Sequence, residues 1–142
     1  MKIGIAGTGR MGAAMARRLM SLGHPLTVWN RTADKARALA EAGAAVAPTP
    51  AALAAESGIV ITIVSNAAAV DALYLGPEGL LSPEVRGKLF IEMSTVRPGV
   101  EQALAAKVRA KGASLVDCPV GGTVGPAKEG KLLGFAGGEV AD

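Results

Sequence analysis

Residues 2–12 read KIGIAGTGRMG, and this stretch decides the fold of the chain. Its first five residues form a short, mostly apolar run that is typical of a buried β-strand. Gly7, Gly9 and Gly12 follow in a GxGxxG pattern, and an amphipathic segment begins at Arg10. A strand, a glycine-rich turn and a helix in this order predict the first βαβ unit of a parallel sheet.

Strand-like and helix-like segments alternate along the rest of the chain. Strands are expected at residues 2–6, 26–29, 44–46, 59–64, 88–93 and 114–117, with a possible seventh within 132–138. Helices are expected from Arg10 to Leu22, from the capping residue Thr32 to about residue 42, from Thr49, from Asn66 to Tyr74 and from Pro98 to Lys111. This order predicts an α/β fold, a doubly wound parallel sheet in three layers of the Rossmann type, as one domain over residues 1–142.

Composition restricts the class of protein. The chain has 142 residues, of which 50% are hydrophobic and 3% aromatic, and its net charge is +3. Without a dense Lys/Arg run or aromatic side chains for base stacking, nucleic-acid binding is not expected. No apolar stretch can span a bilayer and no signal peptide precedes the first strand, so we expect a cytoplasmic protein. The single cysteine, Cys118, is expected to be a small buried residue beside Pro119.

The glycine loop has the pattern of a dinucleotide site. Gly7 permits a tight turn, Gly9 lets a pyrophosphate approach the backbone, and Gly12 lets the helix pack close to the strand. N–H groups at the start of the helix then face the anion. Arg10 either covers the pyrophosphate or points to water. A turn in a flavodoxin-like or nucleotide-free fold is the alternative for the whole loop. The predicted cofactor loop comprises Gly7, Thr8, Gly9, Arg10, Met11 and Gly12.

The residues after the second strand indicate which cofactor is bound. An NAD site usually places a carboxylate there to accept from the ribose 2′-hydroxyl. This chain has Asn30, Arg31 and Thr32 instead, with no carboxylate before Asp34. A guanidinium pairs well with a 2′-phosphate, and a threonine hydroxyl adds a donor. We therefore predict NADP as the cofactor; a solvated Arg31 beside a simple helix cap is the alternative.

Two later motifs complete a resemblance to a known family. They are EMSTVRPG at residues 92–99 and DCPVGGTVGPAKEGKL at residues 117–132. Together with GTGRMG and NRT, they make the chain similar to the β-hydroxyacid dehydrogenases. That family includes 3-hydroxyisobutyrate dehydrogenase, 6-phosphogluconate dehydrogenase and glyoxylate/succinic semialdehyde reductases. The resemblance implies an oxidoreductase that transfers hydride between NADP(H) and a small β-hydroxyacid or its semialdehyde.

The resemblance also implies particular site residues. Val64 and Ser65 would lie near the bridge between the two halves of the cofactor, and Thr95 near the nicotinamide ribose or ring. The family's substrate motif is DxPVSGGxxxAxxGxL, from which this chain departs at Gly121 and Thr123. Backbone donors at Gly121 and Gly122 can still form a nest for a substrate carboxylate, with Thr123 returning a hydroxyl.

Family members continue beyond this region. They carry a catalytic lysine in a GxxxNxxK motif and an all-helical domain that makes the dimer, and neither is present in these 142 residues. Lys128 and Lys131 match motif positions that are not catalytic, and we expect them to be solvated in a loop. We therefore expect the chain to be an inactive N-terminal piece of a homo-oligomer. A non-catalytic NADP-binding module and an imine reductase-like enzyme are the alternatives.

Overall fold

The main sheet consists of six strands in the computed structural model, which describes residues 1–140. In chain order the strands are β1 (Ile3–Ala6), β2 (Leu26–Trp29), β3 (Ala45–Val46), β4 (Ile59–Thr62), β5 (Leu89–Glu92) and β6 (Ser114–Asp117). They lie in the order β3-β2-β1-β4-β5-β6, and all neighbours run parallel. Ile3 of β1 pairs with Leu26 on one side and Ile59 on the other. The strand order reverses at β1, so a crevice opens beyond the carboxyl ends of β1 and β4.

Helices cover both faces of this sheet and confirm the predicted three-layer fold. They are α1 (Arg10–Ser21), α2 (Ala33–Ala40), α3 (Pro50–Glu56), α4 (Ala67–Leu75) and α5 (Pro98–Ala110). On one face α1 and α2 bury a cluster that includes Ile5, Val28 and Leu39. On the other face α3, α4 and α5 bury a larger cluster around Val60 and Phe90. Each fully buried side chain of this size contributes about 1.5–3 kcal/mol.

Side-chain caps fix the starts of two helices that border the crevice. The Thr49 hydroxyl accepts from Ala52 N–H at 3.1 Å at the start of α3, and the Asn66 amide oxygen accepts from Ala69 N–H at 2.9 Å at the start of α4. Thr32 occupies the corresponding position before α2, but its side chain makes no capping hydrogen bond. The predicted capping role of the Thr32 side chain is therefore wrong.

Some predicted boundaries and faces also need correction. The strand expected at 59–64 is shorter in the structure, since β4 ends at Thr62, and its alternate residues are only half-buried. Leu22 lies just beyond α1 and is 55% exposed, because the chain turns away from the sheet there. Cys118 is half-buried rather than buried, and a side-chain carbon at Gly134 would lie 2.9 Å from its Sγ.

The stretch from residue 117 to 132 contains regular structure where a loop was expected. β7 (Val120–Gly121) leads into α6 (Val124–Glu129), and β8 (Leu133–Gly134) then pairs antiparallel with β7. The possible seventh strand is thus β8, and it lies outside the main sheet. Lys128 is exposed on α6 rather than on a loop, and Lys131 pairs with Glu129 at 2.8 Å in solvent. Both lysines are solvated, as predicted.

α6 is held against the outer side of α1. Ala127 of α6 is buried against Ala14 and Met15 of α1. Gly130 ends α6 with φ +71°, and a side-chain carbon there would lie 3.0 Å from Nε of Arg18 on α1. The segment that follows β6 therefore returns to the helix that begins at the glycine loop.

None of the helices within residues 1–140 has the length and apolar character needed to cross a bilayer.

Candidate functional site

Two adjoining cavities open beyond the carboxyl ends of the strands. The larger has a volume of about 720 Å³ and extends from the glycine loop and the end of β2 to α4. The smaller has a volume of about 280 Å³ and lies beside the ends of β4 and β5. Met11, Ile63, Val64 and Ser65 line both cavities, so they form the boundary between them. An elongated ligand can therefore occupy the two cavities together.

Two of the three loop glycines are required by close contacts within the fold, and the third is not. Gly7 has φ +96°, and a side-chain carbon there would lie 2.0 Å from the carbonyl oxygen of Ile63. A side-chain carbon at Gly12 would lie 1.9 Å from the carbonyl oxygen of Gly7. At Gly9, by contrast, such a carbon would meet no heavy atom within 4 Å. Gly7 and Gly12 are thus constrained by the fold itself, whereas Gly9 leaves its backbone accessible from the larger cavity.

Asn30 joins the glycine loop to the loop after β2. Its Oδ1 accepts from Thr8 N–H at 2.8 Å, and its Nδ2 donates to the carbonyl oxygen of Thr32 at 3.0 Å. Asn30 lines the larger cavity, and Thr8 is buried behind it. Because both ends of the amide are engaged, Asn30 fixes the relative position of two segments that line the cavity.

Cationic side chains gather at the end of β2. Arg31 and Lys35 are exposed, and both line the larger cavity together with Thr32. Lys35 lies in the first turn of α2, four residues after Arg31, and it lines the same wall. Asp34 pairs with Arg37 at 3.1 Å. Because Asp34 is paired with Arg37, the side chains of Arg31 and Lys35 give this wall of the cavity a positive charge, which suits a phosphate.

The opposite wall of the larger cavity is largely apolar. Trp29, Pro50, Ala72 and Leu73 line it, and the segment 76–79 closes one end. The sequence motifs did not indicate this wall, because apart from Trp29 of β2 its residues come from α3, α4 and the segment after α4. An apolar slot beside a cationic wall suits a nucleoside that carries phosphates.

The smaller cavity unites several residues that the resemblance implied. Val64, Ser65, Thr95 and Gly122 line it, together with Met11, Met93, Ser94 and Val120. Gly121 and Thr123 do not line it. Gly121 lies in β7 opposite Leu133, and Thr123 is exposed at the start of α6. The structure thus brings one of the three predicted substrate residues to the cavity wall and the other two to its border.

A buried hydrogen-bonded chain lies beneath the smaller cavity. Val64 N–H donates to Oγ of Ser94 at 2.8 Å, and Ser94 N–H donates to Oε1 of Glu92 at 2.7 Å. The Thr62 hydroxyl contacts Oε2 of Glu92 and lies 2.8 Å from the Tyr74 hydroxyl. Burial raises the pKa of Glu92, while hydrogen bonds from Ser94 and Thr62 lower it in part. Burial also raises the pKa of Tyr74 well above its usual value.

Two further carboxyl groups lie near Glu92. Glu101 is only 5% exposed, and both of its carboxyl oxygens are buried without a hydrogen-bond partner within residues 1–140. Burial, and then the charges of Glu92 and Asp117, raise the pKa of Glu101 from 4.5 to about 7. Burial likewise raises the pKa of Asp117. Sequence reasoning missed Glu92, Ser94 and Glu101. For Glu101 a signal existed, since its spacing places it on the helix face of Leu104 and Val108.

Replacement of Glu101 by glutamine is expected to change how stability depends on pH. The folded-state pKa of about 7 exceeds the ordinary value of 4.5. The contribution of Glu101 to the free energy of unfolding is therefore greatest below pH 4.5, and it is lost as the pH rises from 4.5 through about 7. The shift corresponds to about 3 kcal/mol, and Glu101→Gln removes this loss. Urea unfolding of both chains at pH 4.5 and pH 8 measures it.

The exposed variant Glu56→Gln serves as the control for that experiment, since it removes a carboxylate without touching the core. A stability difference between wild type and Glu101→Gln that is the same at both pH values would contradict a raised pKa at this position.

In the part of the chain that the structure describes, no group of three or more His, Cys, Asp or Glu side chains is arranged to hold a metal ion.

The sequence matches known proteins along nearly its whole length. A family profile described as the NAD binding domain of 6-phosphogluconate dehydrogenase matches residues 2–142. The mitochondrial 3-hydroxyisobutyrate dehydrogenase of Mus musculus is 37% identical over 136 residues, which cover 96% of this chain and 41% of that protein. The cytokine-like nuclear factor N-PAC of Homo sapiens is 36% identical over 138 residues, 97% of this chain and 25% of that protein. The chain thus spans less than half the length of these relatives.

Solved structures show the same fold. Psf3 in complex with NADP+ and 2-OPP superposes with a TM-score of 0.92 at 34% identity, over 98% of this chain and 49% of that one. The reductive aminase of Aspergillus terreus, in complex with NADPH and ethyl-5-oxohexanoate, superposes with a TM-score of 0.79 at 36% identity. That match covers 88% of this chain and 42% of the aminase.

Proposed function

The chain belongs to the family of NAD-binding domains of 6-phosphogluconate dehydrogenase, and from this premise we propose that it binds NADP(H) within a longer oxidoreductase. The reaction proposed for the whole protein is hydride transfer between NADP(H) and a small β-hydroxyacid or its semialdehyde. The bound cofactor supplies or accepts the hydride. The residues described here hold the cofactor and face the substrate.

One observation carries the proposal: the open backbone at Gly9 faces the same cavity as the cationic wall. Gly9 directly precedes α1 and has no side chain that could cap it, so the first N–H groups of the helix can receive an anion. Arg31 and Lys35 lie on the wall of that cavity. A dinucleotide requires this pair of features, a pyrophosphate-binding turn and a nucleoside slot beside it. The residues present therefore fit the cofactor.

The preference for NADP(H) over NAD(H) rests on the charges at the end of β2. Asn30 occupies the place of the usual carboxylate, and its amide is engaged with Thr8 and Thr32. A 2′-phosphate meets Arg31, Lys35 and the Thr32 hydroxyl there. Psf3 and the reductive aminase were both solved with NADP+ or NADPH, which supports the same preference. Arg10 also lines this cavity and is placed to cover the pyrophosphate.

The smaller cavity is proposed to hold the nicotinamide ring and the reacting end of the substrate. Val64, Ser65 and Thr95 would contact the nicotinamide half. Gly122, with φ +129°, presents its backbone at the wall, and Gly121 and Thr123 flank it. These three residues are proposed to hold the carboxylate of the substrate at the border of the cavity.

The remaining parts of the proposal concern the whole protein. The mouse relative extends well beyond the matched region, since this chain covers 41% of it. We place the catalytic lysine and the all-helical dimerisation domain there, so the present chain binds cofactor but turns over little. The free, half-buried Cys118 is compatible with the cytoplasmic location proposed for the protein.

Substitution of Arg31 by methionine is expected to remove the preference for NADPH. In the wild-type chain NADPH should bind at least about tenfold more tightly than NADH, a difference of about 1.4 kcal/mol. Arg31→Met should bring the two affinities together by weakening NADPH alone. Calorimetric titration with both cofactors at one fixed salt concentration measures this.

Arg37→Met is the matched control, because Arg37 is an exposed arginine on α2, the helix that follows Arg31, and it pairs with Asp34. Its cofactor preference should equal that of the wild type. If Arg31→Met retains the wild-type preference, the 2′-phosphate does not bind at Arg31. If the wild-type chain binds neither cofactor, the proposed function fails for this chain.

Two other functions have specific support. The similarity to a reductive aminase favours an imine-reducing enzyme, and the similarity to a nuclear factor favours a non-catalytic NADP-binding module. Assay of the full-length protein with a β-hydroxyacid and with a ketone plus an amine separates the two enzymes. Tight NADPH binding without turnover of either substrate supports the module.

A further inference from the structure

We propose that the negative charge of the buried Glu92 carboxylate raises the affinity of this site for the oxidised cofactor relative to its affinity for the reduced cofactor. The nicotinamide ring carries one positive charge when oxidised and none when reduced, so a fixed negative charge beneath it discriminates between the two. This inference rests on the proposed function, because it requires the ring to lie in the smaller cavity.

Glu92 lies directly under the wall of that cavity. It is the last residue of β5 and is fully buried. Ser94, which lines the smaller cavity, donates its N–H to Oε1 of Glu92 at 2.7 Å. The Ser94 hydroxyl in turn holds Val64 N–H at 2.8 Å, and Val64 lines both cavities. One residue therefore separates the carboxylate from the space proposed for the ring.

The hydrogen bonds around Glu92 match its ionised form. Oε1 receives the Ser94 N–H, and Oε2 receives the Thr62 hydroxyl. The Tyr74 hydroxyl lies 2.8 Å from the Thr62 oxygen and can donate to it. Every O–H from Tyr74 to Glu92 then has an acceptor. A proton added to Oε2 would give Glu92, Thr62 and Tyr74 one O–H group more than this row of hydrogen bonds has acceptors for. A buried O–H group without an acceptor is unfavourable.

Three titratable groups face Glu92 from neighbouring elements, and the two carboxyl groups among them add to its negative field when they are ionised. Asp117 pairs with Glu92 in the register of β5 and β6, and Glu101 faces it from α5. Tyr74 contacts it from α4 through Thr62. Because this region is buried, water screens the charge only weakly at the adjacent cavity. The field therefore acts on the charge that distinguishes the two forms of the ring.

Glu92→Gln removes the charge while keeping the size of the side chain and an acceptor oxygen. We expect the ratio of NADP+ affinity to NADPH affinity to fall about tenfold, the effect of two unit charges roughly 12 Å apart at an effective dielectric constant of about 20. Calorimetric titration of each variant with NADP+, NADPH and 2′,5′-ADP measures it. The last probe lacks the nicotinamide half, so its affinity should not change.

Glu56→Gln is the charge-matched control, since it removes an exposed carboxylate at the end of α3. It should leave the affinity ratio unchanged. A merely structural role of Glu92 would instead weaken all three ligands together and leave the ratio as in the wild type. That outcome overturns the inference.

A second variant keeps the test valid if Glu92→Gln does not fold. Thr62→Val removes one donor to the carboxylate and conserves the shape of the side chain. It is expected to lower the same ratio by a smaller factor, and an unchanged ratio in the folded Thr62→Val chain then overturns the inference. Failure of the wild-type chain to bind 2′,5′-ADP or NADPH is a different result, since it contradicts the proposed function itself.

Discussion

Replacement of Gly12 by alanine is expected to lower the free energy of unfolding by about 3 kcal/mol or more. The added carbon would lie 1.9 Å from the carbonyl oxygen of Gly7 and 3.0 Å from its carbonyl carbon. Both are backbone atoms of the tight turn, so no side chain can rotate away. Relief requires α1 to move off the sheet, which disrupts its packing against β1 and β2.

Urea unfolding followed by circular dichroism measures this loss. Gly99→Ala is the matched control, because Gly99 lies in the first turn of α5 and an added carbon there meets no atom within 4 Å. This control should be neutral or stabilised by up to about 1 kcal/mol. If Gly12→Ala is as stable as the wild type, the close approach of α1 to the glycine turn is incorrect.

Replacement of Gly9 by alanine is expected to weaken cofactor binding without lowering the stability of the fold. Gly9 has an ordinary backbone conformation, with φ −65°, and an added carbon meets no protein atom within 4 Å. The free energy of unfolding should therefore change by less than about 0.5 kcal/mol. The same carbon would occupy the surface that a pyrophosphate approaches. NADPH affinity should fall at least about 100-fold, or about 2.7 kcal/mol.

Calorimetric titration with NADPH and urea unfolding of the same preparation measure both effects. Gly99→Ala again provides the comparison, and it should bind NADPH as the wild type does. Wild-type affinity in Gly9→Ala would show that the pyrophosphate does not lie on this turn. A large loss of stability would show that the fold leaves no room for a side chain at Gly9, as at Gly12.

The sheet and the helices that flank it were predictable, because their signals are local. Apolar runs such as LTVW at 26–29 and glycines after each helix mark the elements without knowledge of their neighbours. The glycine loop was predictable for the same reason, since its three glycines have separate roles within six residues. The residues assigned to the cofactor there remain predictions for the experiments above.

The elements that were missed depend on distant contacts. Val124–Glu129 contains Gly125 and Pro126 and reads as a loop, yet it becomes helical against α1 through buried Ala127. Glu101 reads as a solvated charge on a helix, but its spacing from Leu104 directs it inward. Glu92 stands within the KLFIEM run and received no role, since its partners Thr62 and Tyr74 come from other elements.

The packing of α6 on α1 has a consequence for how the protein can diversify. The amino end of α1 adjoins the glycine turn proposed to bind the pyrophosphate, and α6 packs against the outer side of the same helix. The proposed substrate segment lies at the start of α6. A single helix, α1, therefore determines the distance between the two proposed ligand sites. Substitutions in the segment just before α6 can therefore alter the proposed substrate site while the packing of α6 on α1 is kept. An inserted residue within α1 would misalign both at once, so this helix should tolerate substitutions far better than changes of length.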